Sequence, residues 1–288
     1  MTMKRLIALL IAAVVLLVSG CSAGVQSSAK YDSVVALSKT NGEMWLLAGG
    51  ELKGITDDGL ELEGASSASS VGTITKPNLE SIIALEPDLV LLSGELSSHA
   101  EIKNELDGLG IKTIEIVVDS FDDYDSYMRT FTELTGRDDL YEQNVVNVRS
   151  GIESVTGKVP SDNEVPTYLA MRVSATKNKV LKNDYFACDI FNDIGLHNAV
   201  TDDSALDELS AEWIAGVDPD IIFVVLQGED EEATQSFRQD FESSPSWSGL
   251  SAVQNGKVFI LPKEYFQYKP NAQWAAAYEY VYNLIYEG

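Results

Sequence analysis

Residues 76–94 read KPNLESIIALEPDLVLLSG, and residues 209–228 read LSAEWIAGVDPDIIFVVLQG. Both stretches follow one pattern: a short amphipathic segment with one glutamate, then Pro-Asp, then an apolar run that ends near glycine. Proline lacks a backbone donor and disfavours helical geometry in the residue before it, so each helix must end there. The apolar runs LVLL and IIFVV are typical of strands covered on both faces of a parallel sheet. Each copy therefore predicts a helix followed by a buried strand.

The rest of the chain predicts an α/β fold made of two similar lobes. With 288 residues, the chain is long enough for two domains. Predicted strands and helices alternate over residues 32–137 and again over residues 159–288. Between them, residues 138–158 keep an imperfect helical spacing of apolar residues, with Gly151 as a tolerated flaw. We predict two Rossmann-like α/β lobes joined by a single long α-helix, with a ligand cleft between the lobes.

The first 20 residues predict an export signal. Lys4 and Arg5 precede an apolar core of about 13 residues, shorter than the ~20 that span a bilayer. The sequence VSGC at 18–21 resembles a bacterial lipobox, in which the cysteine becomes the lipidated first residue. We therefore expect lipidation of Cys21 and a flexible tether over residues 21–31. A plain secretory signal with an incidental cysteine is the alternative.

Charge, cysteine and histidine usage exclude several classes of function. A formal net charge of −25 argues against nucleic acid as a partner. The one other cysteine, Cys188, has no partner for a disulfide, and we expect it to be a buried small hydrophobe. The two histidines, His99 and His197, lie in no spaced motif, so we expect no bare-metal site and regard each as typical of an exposed loop histidine. Axial ligation of haem by either histidine or by Met171 stays open.

Four phrases in order resemble one family: NLESIIALEPDLVLLSG, CDIFNDIGLHNAV, LSAEWIAGVDPDIIFVV and SPSWSGLSAVQNGKVFIL. Together they are similar to the substrate-binding lipoproteins of ABC importers whose lobes are joined by one rigid helix. That class serves iron-siderophores, haem and cobalamin. The chain departs from the family pattern at GLHN (195–198), where Gly-Gly-x-Asn is usual, at TNGEMWLLAGG (40–50), where an "LG" helix ending is typical, and at Gln273, where arginine is common. These departures bear on which ligand is bound rather than on the class of protein.

The resemblance also implies a role for the repeated glutamate. In similar importers one surface glutamate on each lobe docks onto arginines of the permease, and the matching positions here are Glu80 and Glu212. Two carboxylates on two lobes give a charge-assisted grip at two points. A glutamate early in a short helix also complements the helix dipole, so a purely structural role is the alternative.

Ligands of two-lobed α/β proteins bind where the carboxyl ends of strands from both lobes meet. We expect the loops 38–40, 93–95, 118–120, 171–173, 227–228 and 263–269 to border this crevice. The last loop contains EYFQYKP, whose aromatic faces suit a macrocycle or a catechol and whose tyrosine oxygens can ligate ferric iron. An arginine suits an anionic chelate, with an ordinary salt bridge as the alternative, and Trp45 either walls the cleft or packs in the core. The candidate ligand-binding residues are Tyr265, Tyr268, Arg172, Phe266, Trp45, Lys39 and Tyr185.

The expected function is that of an extracytoplasmic solute-binding lipoprotein, monomeric and anchored to the cell membrane by its lipid. It would capture an iron-siderophore-type metal chelate and deliver it to an ABC permease and its ATPase, with no catalysis, cofactor or metal of its own. Haem or cobalamin is the alternative ligand. A cell-surface sensor with the same lobes is a further alternative. An exported metal- or redox-dependent enzyme would need Cys188 and His197 as ligands, and the chain has no dinucleotide, P-loop or nucleophile-elbow motif.

Overall fold

The computed structural model describes residues 31–161, 165–200 and 209–288. The predicted signal segment, Cys21 and all of the predicted tether before Tyr31 lie outside the described residues. Within them, the chain forms two sheets of mainly parallel strands, each covered by helices. None of the helices in this part of the chain has the length and apolar character that a membrane crossing requires.

The first lobe is built on a five-stranded parallel sheet with the order β3-β2-β1-β6-β7. Helices cover it, and a small antiparallel pair, β4 with β5, lies beside it. Both faces of β1 and most of β6 are buried, as the apolar runs predict. In chain order the elements are β1 (Val34–Ala36), α1 (Lys39–Leu47), β2 (Gly54–Ile55), β3 (Ser69–Ser70), β4 (Gly72–Thr73), β5 (Lys76–Pro77), α2 (Leu79–Ala84), β6 (Leu89–Ser93), α3 (Ser97–Gly108), β7 (Thr113–Ile116) and α4 (Phe121–Thr135).

A continuous helical stretch leads from the first lobe to the second. It consists of α5 (Asp138–Tyr141), a π-helical turn (Glu142–Val146) and α6 (Asn147–Thr156). Gly151 is more than a tolerated flaw in this stretch, because a Cβ there would lie 2.7 Å from the Cβ of Ala275. The glycine therefore permits the close approach of the closing helix of the chain.

The second lobe is built on the parallel strands β10-β8-β11-β12, with β9 antiparallel to β8. All six residues of β11 are buried, in agreement with the second apolar run. The elements are β8 (Thr167–Val173), β9 (Lys179–Leu181), α7 (Phe186–Asp193), β10 (His197–Asn198), α8 (Ala211–Val217), β11 (Ile221–Leu226), α9 (Asp230–Phe237), a π-helical turn (Arg238–Glu242), α10 (Pro245–Ser248), α11 (Ser251–Gln254), β12 (Val258–Leu261), α12 (Lys263–Phe266) and α13 (Trp274–Tyr286). The predicted fold class is thus confirmed.

The two copies of the repeated phrase fold alike. Helix α2 is capped by the Asn78 side chain and α8 by the Ser210 side chain, each accepting a hydrogen bond from the backbone N–H of the third residue of its helix. In each copy the residue before the proline has a positive φ, 47° at Glu86 and 45° at Asp218. Such a conformation is uncommon for residues other than glycine and turns the chain sharply from helix to strand.

The aspartate of each Pro-Asp pair holds the beginning of the neighbouring strand. The carboxylate of Asp88 accepts hydrogen bonds from the backbone N–H groups of Asp32 (2.9 Å) and Ser33 (3.1 Å), just before β1. The carboxylate of Asp220 accepts them from the N–H (2.8 Å) and the hydroxyl (2.7 Å) of Thr167, at the start of β8. In both lobes the motif therefore fixes where the central strand enters the sheet.

Candidate ligand cleft

A cavity of about 320 Å³ lies between the lobes, at the carboxyl ends of their parallel strands. This position is the one expected for ligands of open α/β sheets. Each of the six predicted crevice loops contributes at least one lining residue. One from each loop is Ser38, Ser93, Val118, Arg172, Gln227 and Tyr268.

Two of the candidate ligand-binding residues, Arg172 and Tyr268, line this cavity. The guanidinium of Arg172 lies 5.9 Å from the ring centroid of Tyr185, and among the described residues it pairs with no carboxylate. The salt bridge that was the alternative for Arg172 is therefore not formed within this part of the chain. Lys39 does not line the cavity, but its ammonium lies 5.3 Å from the ring centroid of Tyr268. Lys39 of the first lobe thus contacts Tyr268 of the second lobe beside the cavity.

Trp45 does not wall the cleft. Its side chain is fully buried in the first lobe, where its indole N–H donates a hydrogen bond to the carbonyl oxygen of Glu51 (3.0 Å) and its ring meets Phe131 edge-on. Placing it among the ligand-binding residues was therefore wrong, and the alternative of core packing is the one observed. The aromatic ring fills the space between α1 and α4.

Three other aromatic candidates also lie away from the cavity lining. Phe266 is fully buried, and Tyr265 packs against Tyr280 of the closing helix. The hydroxyl of Tyr185 donates to the carbonyl oxygen of Phe266. The sequence EYFQYKP was expected to supply aromatic rings to the cleft, but its first half forms the short helix α12. Of the three aromatic residues in this sequence, only Tyr268, which follows the helix, lines the cavity.

The cavity also has a cation that sequence reasoning did not single out, Lys269. Its side chain is 13% exposed, and its ammonium lies 3.4 Å from Glu95 Oε1 and 3.7 Å from Asp119 Oδ1. Both acids follow strands of the first lobe, β6 and β7, whereas the lysine belongs to the second. The ammonium also lies 4.8 Å from the ring centroid of Phe186. The available signal was its position in the predicted crevice loop 263–269, but its partners are distant in sequence.

A further contact between the lobes follows two residues later. Asn271, with a φ of 50°, donates from Nδ2 to Glu43 Oε2 (2.6 Å) and to the carbonyl oxygen of Thr40 (3.3 Å). Burial raises the pKa of Glu43, while the Asn271 hydrogen bond and the charge of Lys39 act against that shift. The segment between α12 and α13 therefore contacts the first lobe repeatedly.

Three residues lining the cavity each carry a buried polar atom without a hydrogen bond to the protein. These atoms are Asn41 Nδ2, Asp58 Oδ1 and Gln267 Oε1. Leaving such a group unpaired costs about 1–3 kcal/mol. Because the set includes a donor and two acceptors, the cavity favours a ligand with both kinds of polar group.

The histidines and Met171 do not present metal-binding atoms to the cavity. His99, expected to be exposed, is buried: its Nδ1 accepts from the N–H of Ser93 (2.9 Å) and its Nε2 donates to the carbonyl oxygen of Ile74 (2.8 Å). Burial also lowers the pKa of His99, which favours the neutral ring. His197 is exposed in β10 and pairs with Thr167 at the start of β8, whereas the cavity lies at the carboxyl ends of the strands. Met171 is fully buried in the sheet.

The second cysteine has the properties predicted for it. Cys188 is fully buried as a free thiol, and burial raises its pKa to about 12. A thiol with such a pKa is neither a good nucleophile nor a good metal ligand at neutral pH. Over the described ranges, no group of three or more His, Cys, Asp or Glu side chains is arranged to hold a metal ion.

The two glutamates of the repeat occupy matching places. Glu80 is the second residue of α2 and Glu212 the second residue of α8, and both side chains are exposed. Glu212 accepts a hydrogen bond from the hydroxyl of Ser244 (3.1 Å). Backbone hydrogen bonding, together with the Ser244 contact, lowers the pKa of Glu212, so this carboxylate is held ionised.

Two α/β lobes joined by a helix, with a cavity of mixed polar and apolar lining at the carboxyl ends of their strands, define a solute-binding protein. A family model described as periplasmic binding protein matches residues 34–265. The chain belongs to this family, and the predicted resemblance is confirmed. Members bind solutes rather than transform them, so the chain is not an enzyme and the alternative of an exported enzyme is not favoured.

Individual relatives agree with this assignment. The Fe(3+)-citrate-binding protein YfmC of Bacillus subtilis (strain 168) is 28% identical over 215 residues, 72% of this chain and 65% of that protein. The match thus spans just under two thirds of that relative's length. An ABC transporter substrate-binding protein from Listeria monocytogenes EGD-e superposes with a TM-score of 0.75 at 20% identity, covering 89% of this chain and 99% of that one. Staphylococcus aureus IsdE complexed with heme gives 0.77 at 18% identity, covering 88% and 98%. These two likenesses concern the fold alone.

Proposed function

We propose that the chain captures a ferric chelate of the siderophore or hydroxycarboxylate type and delivers it to the permease of an ABC importer. The observation that carries this proposal is the presence of two basic side chains, Arg172 and Lys269, beside two acidic ones in the lining of the cleft of a chain of net charge −25. Arg172 pairs with no carboxylate among the described residues, and Lys269 lies in the same lining. Basic groups in so acidic a protein mark a place suited to an anion.

The size of the cavity and its unpaired polar atoms support a compact ligand that carries polar groups. At about 320 Å³ it lies near the lower end of the ~300–1,000 Å³ typical of small-molecule pockets. Its unpaired donor and acceptors suit a ligand with hydroxyl or amide groups besides its anionic oxygens. The iron would enter already chelated, since no metal-binding cluster occurs among the described residues.

Haem or cobalamin is the alternative ligand within the same class. Staphylococcus aureus IsdE has been solved in complex with heme, whereas the relative YfmC is named for Fe(3+)-citrate. A haem would gain most from flat aromatic walls and an axial ligand. Only one aromatic candidate, Tyr268, lines the cavity, and neither His99 nor Met171 presents a free ligand atom to it. These observations favour the chelate.

Delivery and anchoring complete the proposal. Lipidation at Cys21 would hold the chain on the outer face of the cell membrane, and some relatives are named as substrate-binding lipoproteins. Glu80 and Glu212, exposed at the ends of matching helices, are the proposed contacts with the permease. Each is a carboxylate free to meet a basic partner.

The proposal is tested by measuring the binding of ferric citrate, a neutral ferric trihydroxamate, haem and cobalamin to the purified chain, by quenching of tryptophan fluorescence and by thermal shift. We expect at least one ferric chelate to bind in preference to haem and cobalamin. Binding of haem or cobalamin alone would move the assignment to the alternative.

The contribution of Arg172 is tested in the same assay. Because a hydrogen bond to a charged group contributes about 1.5–3 kcal/mol, R172Q should weaken binding of an anionic chelate by about 10- to 100-fold. The matched control is R238Q, which removes an exposed arginine of the same lobe that pairs with Glu242. Equal affinities for the wild type and R172Q would remove Arg172 from the site.

A further inference from the structure

The interaction of Lys269 with two acids of the opposite lobe is unlike an ordinary surface salt bridge. The lysine side chain is 13% exposed, whereas Glu95 and Asp119 are 49% and 50% exposed. The lysine side chain is thus nearly buried, while the side chains of both its partners remain about half exposed to solvent. A withdrawn charge depends on its partners far more than an exposed one does.

The distances in this cluster are also long. The Lys269 ammonium lies 3.4 Å from Glu95 Oε1 and 3.7 Å from Asp119 Oδ1. Charge-assisted hydrogen bonds between an ammonium and a carboxylate are typically about 2.7–2.9 Å. Two half-exposed acids at such distances neutralise the lysine, but only the Glu95 contact is a hydrogen bond, and at 3.4 Å it is a long one. The face of Phe186, 4.8 Å away, supports the cation but provides no acceptor.

From this geometry we propose that Lys269 is an anion-binding group of the cavity and that Glu95 and Asp119 are displaceable internal counter-ions. An anionic oxygen of the ligand takes over the ammonium. The two acids, already half exposed, then complete their hydration shells. The inference rests on the proposed function and deepens it, because it selects a ligand with a localised negative charge, such as a carboxylate or catecholate oxygen.

The exchange also explains how a cleft lined by acids as well as bases can select for an anion. Lys269 and Glu95 both line the cavity, so a ligand meets the cation and its counter-ion together. A neutral ligand leaves the existing pairs in place and gains nothing from the lysine. An anion replaces two loose contacts by one close contact in a site screened from water, where a charge interaction is stronger. Glu95 and Asp119 therefore set the charge that the cleft requires of its ligand.

The test compares two ferric chelates of different charge, ferric citrate and a neutral ferric trihydroxamate, on three variants. K269M removes the ammonium that lies over Phe186 but keeps an unbranched apolar side chain of similar length. E95Q/D119N removes both counter-ions at nearly constant shape. K103M is the matched control, because Lys103 forms an exposed pair with Asp107 in α3. Circular dichroism and thermal unfolding establish that each variant is folded.

For ferric citrate we expect K269M to weaken binding by about 10-fold or more, because a charge-assisted hydrogen bond is lost. E95Q/D119N should tighten it by about 5-fold or more, because the ligand no longer competes with internal acids. K103M should leave it unchanged. With the neutral chelate all three variants should stay within about 2-fold of the wild type.

Two results would overturn the inference. If E95Q/D119N binds ferric citrate no more tightly than the wild type, the acids are not counter-ions that the ligand displaces. If K269M weakens both chelates equally, the lysine merely holds the lobes together. A wild type that binds haem but neither chelate refutes the proposed ligand class separately. The same variants are then compared on haem, whose two carboxylates should show the same opposite responses if Lys269 has the proposed role.

Discussion

The two copies of the helix and strand unit are alike in their scaffold and differ in their surroundings. Both have a side-chain cap, a left-handed residue before the proline and an aspartate that binds the start of the neighbouring strand. They differ at two positions. Glu212 is bonded to Ser244 and Asp218 to Ser251, whereas Glu80 and Glu86 make no corresponding side-chain contact among the described residues.

This difference separates the contacts that both copies share from the contacts that occur in only one lobe. The shared contacts are those that set the entry of the central strand into its sheet, so they recur wherever the unit recurs. The contacts found only in the second lobe join the unit to the later segment Ser244–Ser251, for which the first lobe has no counterpart. The comparison therefore predicts that replacing the aspartate after each proline changes the stability of both lobes equally. Replacing the residue before each proline should change the stability unequally.

The largest expected effect concerns the two exposed glutamates. Reversing both charges, in E80K/E212K, should abolish uptake by cells while leaving the affinity of the purified chain for its ligand unchanged. The reason is that a lysine at each point repels the basic groups proposed on the permease. The measurement is uptake of the radiolabelled ferric ligand, paired with a binding titration of the same variant.

The matched control for this pair is E105K/E231K, which makes the same change of charge at one exposed glutamate of each lobe, in α3 and α9. We expect normal uptake from it. Loss of ligand affinity in E80K/E212K, or loss of uptake in the control, would return Glu80 and Glu212 to a purely structural role.

The next effect concerns stability and is expected to be equal in both lobes. D88A and D220A each remove two hydrogen bonds to a carboxylate and should lower the free energy of unfolding by about 2 kcal/mol. Unfolding in urea, followed by circular dichroism, measures this change. A large loss in one lobe and none in the other would mean that the motif is structural in only one copy.

The Asp220 carboxylate adds a dependence on pH. Hydrogen bonds from the backbone and side chain of Thr167 hold the pKa of Asp220 below its ordinary value. Its contribution to stability is therefore present above about pH 4 and is lost as the pH falls through the lowered pKa. D220N, which keeps one acceptor oxygen without the charge, should lose less stability than D220A at pH 7 and should show a smaller decline in acid.

The repeat explains why the fold could be predicted from the sequence. The prolines at 87 and 219 and the apolar runs after them determine helix ends and buried strands locally, and the structure has both where they were expected. The crevice loops followed from the same pattern, because in parallel sheets the carboxyl ends of the strands meet. The left-handed residues and the aspartate bonds were not predicted, since they depend on the neighbouring strand.

The individual side chains of the cleft were harder to predict. Phe266 and Tyr268 differ by two positions, yet α12 buries one and leaves the other at the cavity. Lys269 has its partners more than 140 residues away in sequence, which no local pattern indicates. His99 looked like an exposed loop histidine, but two backbone groups of separate segments complete its hydrogen bonds. Binding sites depend on such long-range contacts, whereas strands and helices depend on local ones.

The smallest expected effect has opposite signs in the two copies. Replacing Glu86 (φ 47°) by glycine relieves a left-handed backbone conformation and should raise the free energy of unfolding by about 0.5–1 kcal/mol. The equivalent change at Asp218 (φ 45°) gives the same relief, but it removes a carboxylate that accepts from the N–H (2.8 Å) and the hydroxyl (2.9 Å) of Ser251. D218G should therefore lower stability by about 1 kcal/mol overall.

The matched control for this contrast is D218N, which keeps an acceptor for Ser251 and, like Asp, tolerates the left-handed region. It should lie between the wild type and D218G in urea unfolding. If D218G raised the free energy of unfolding as E86G does, Ser251 would add nothing to the stability of the second copy. The two units would then be equivalent at this turn, because the strain before the proline alone would decide the stability of both.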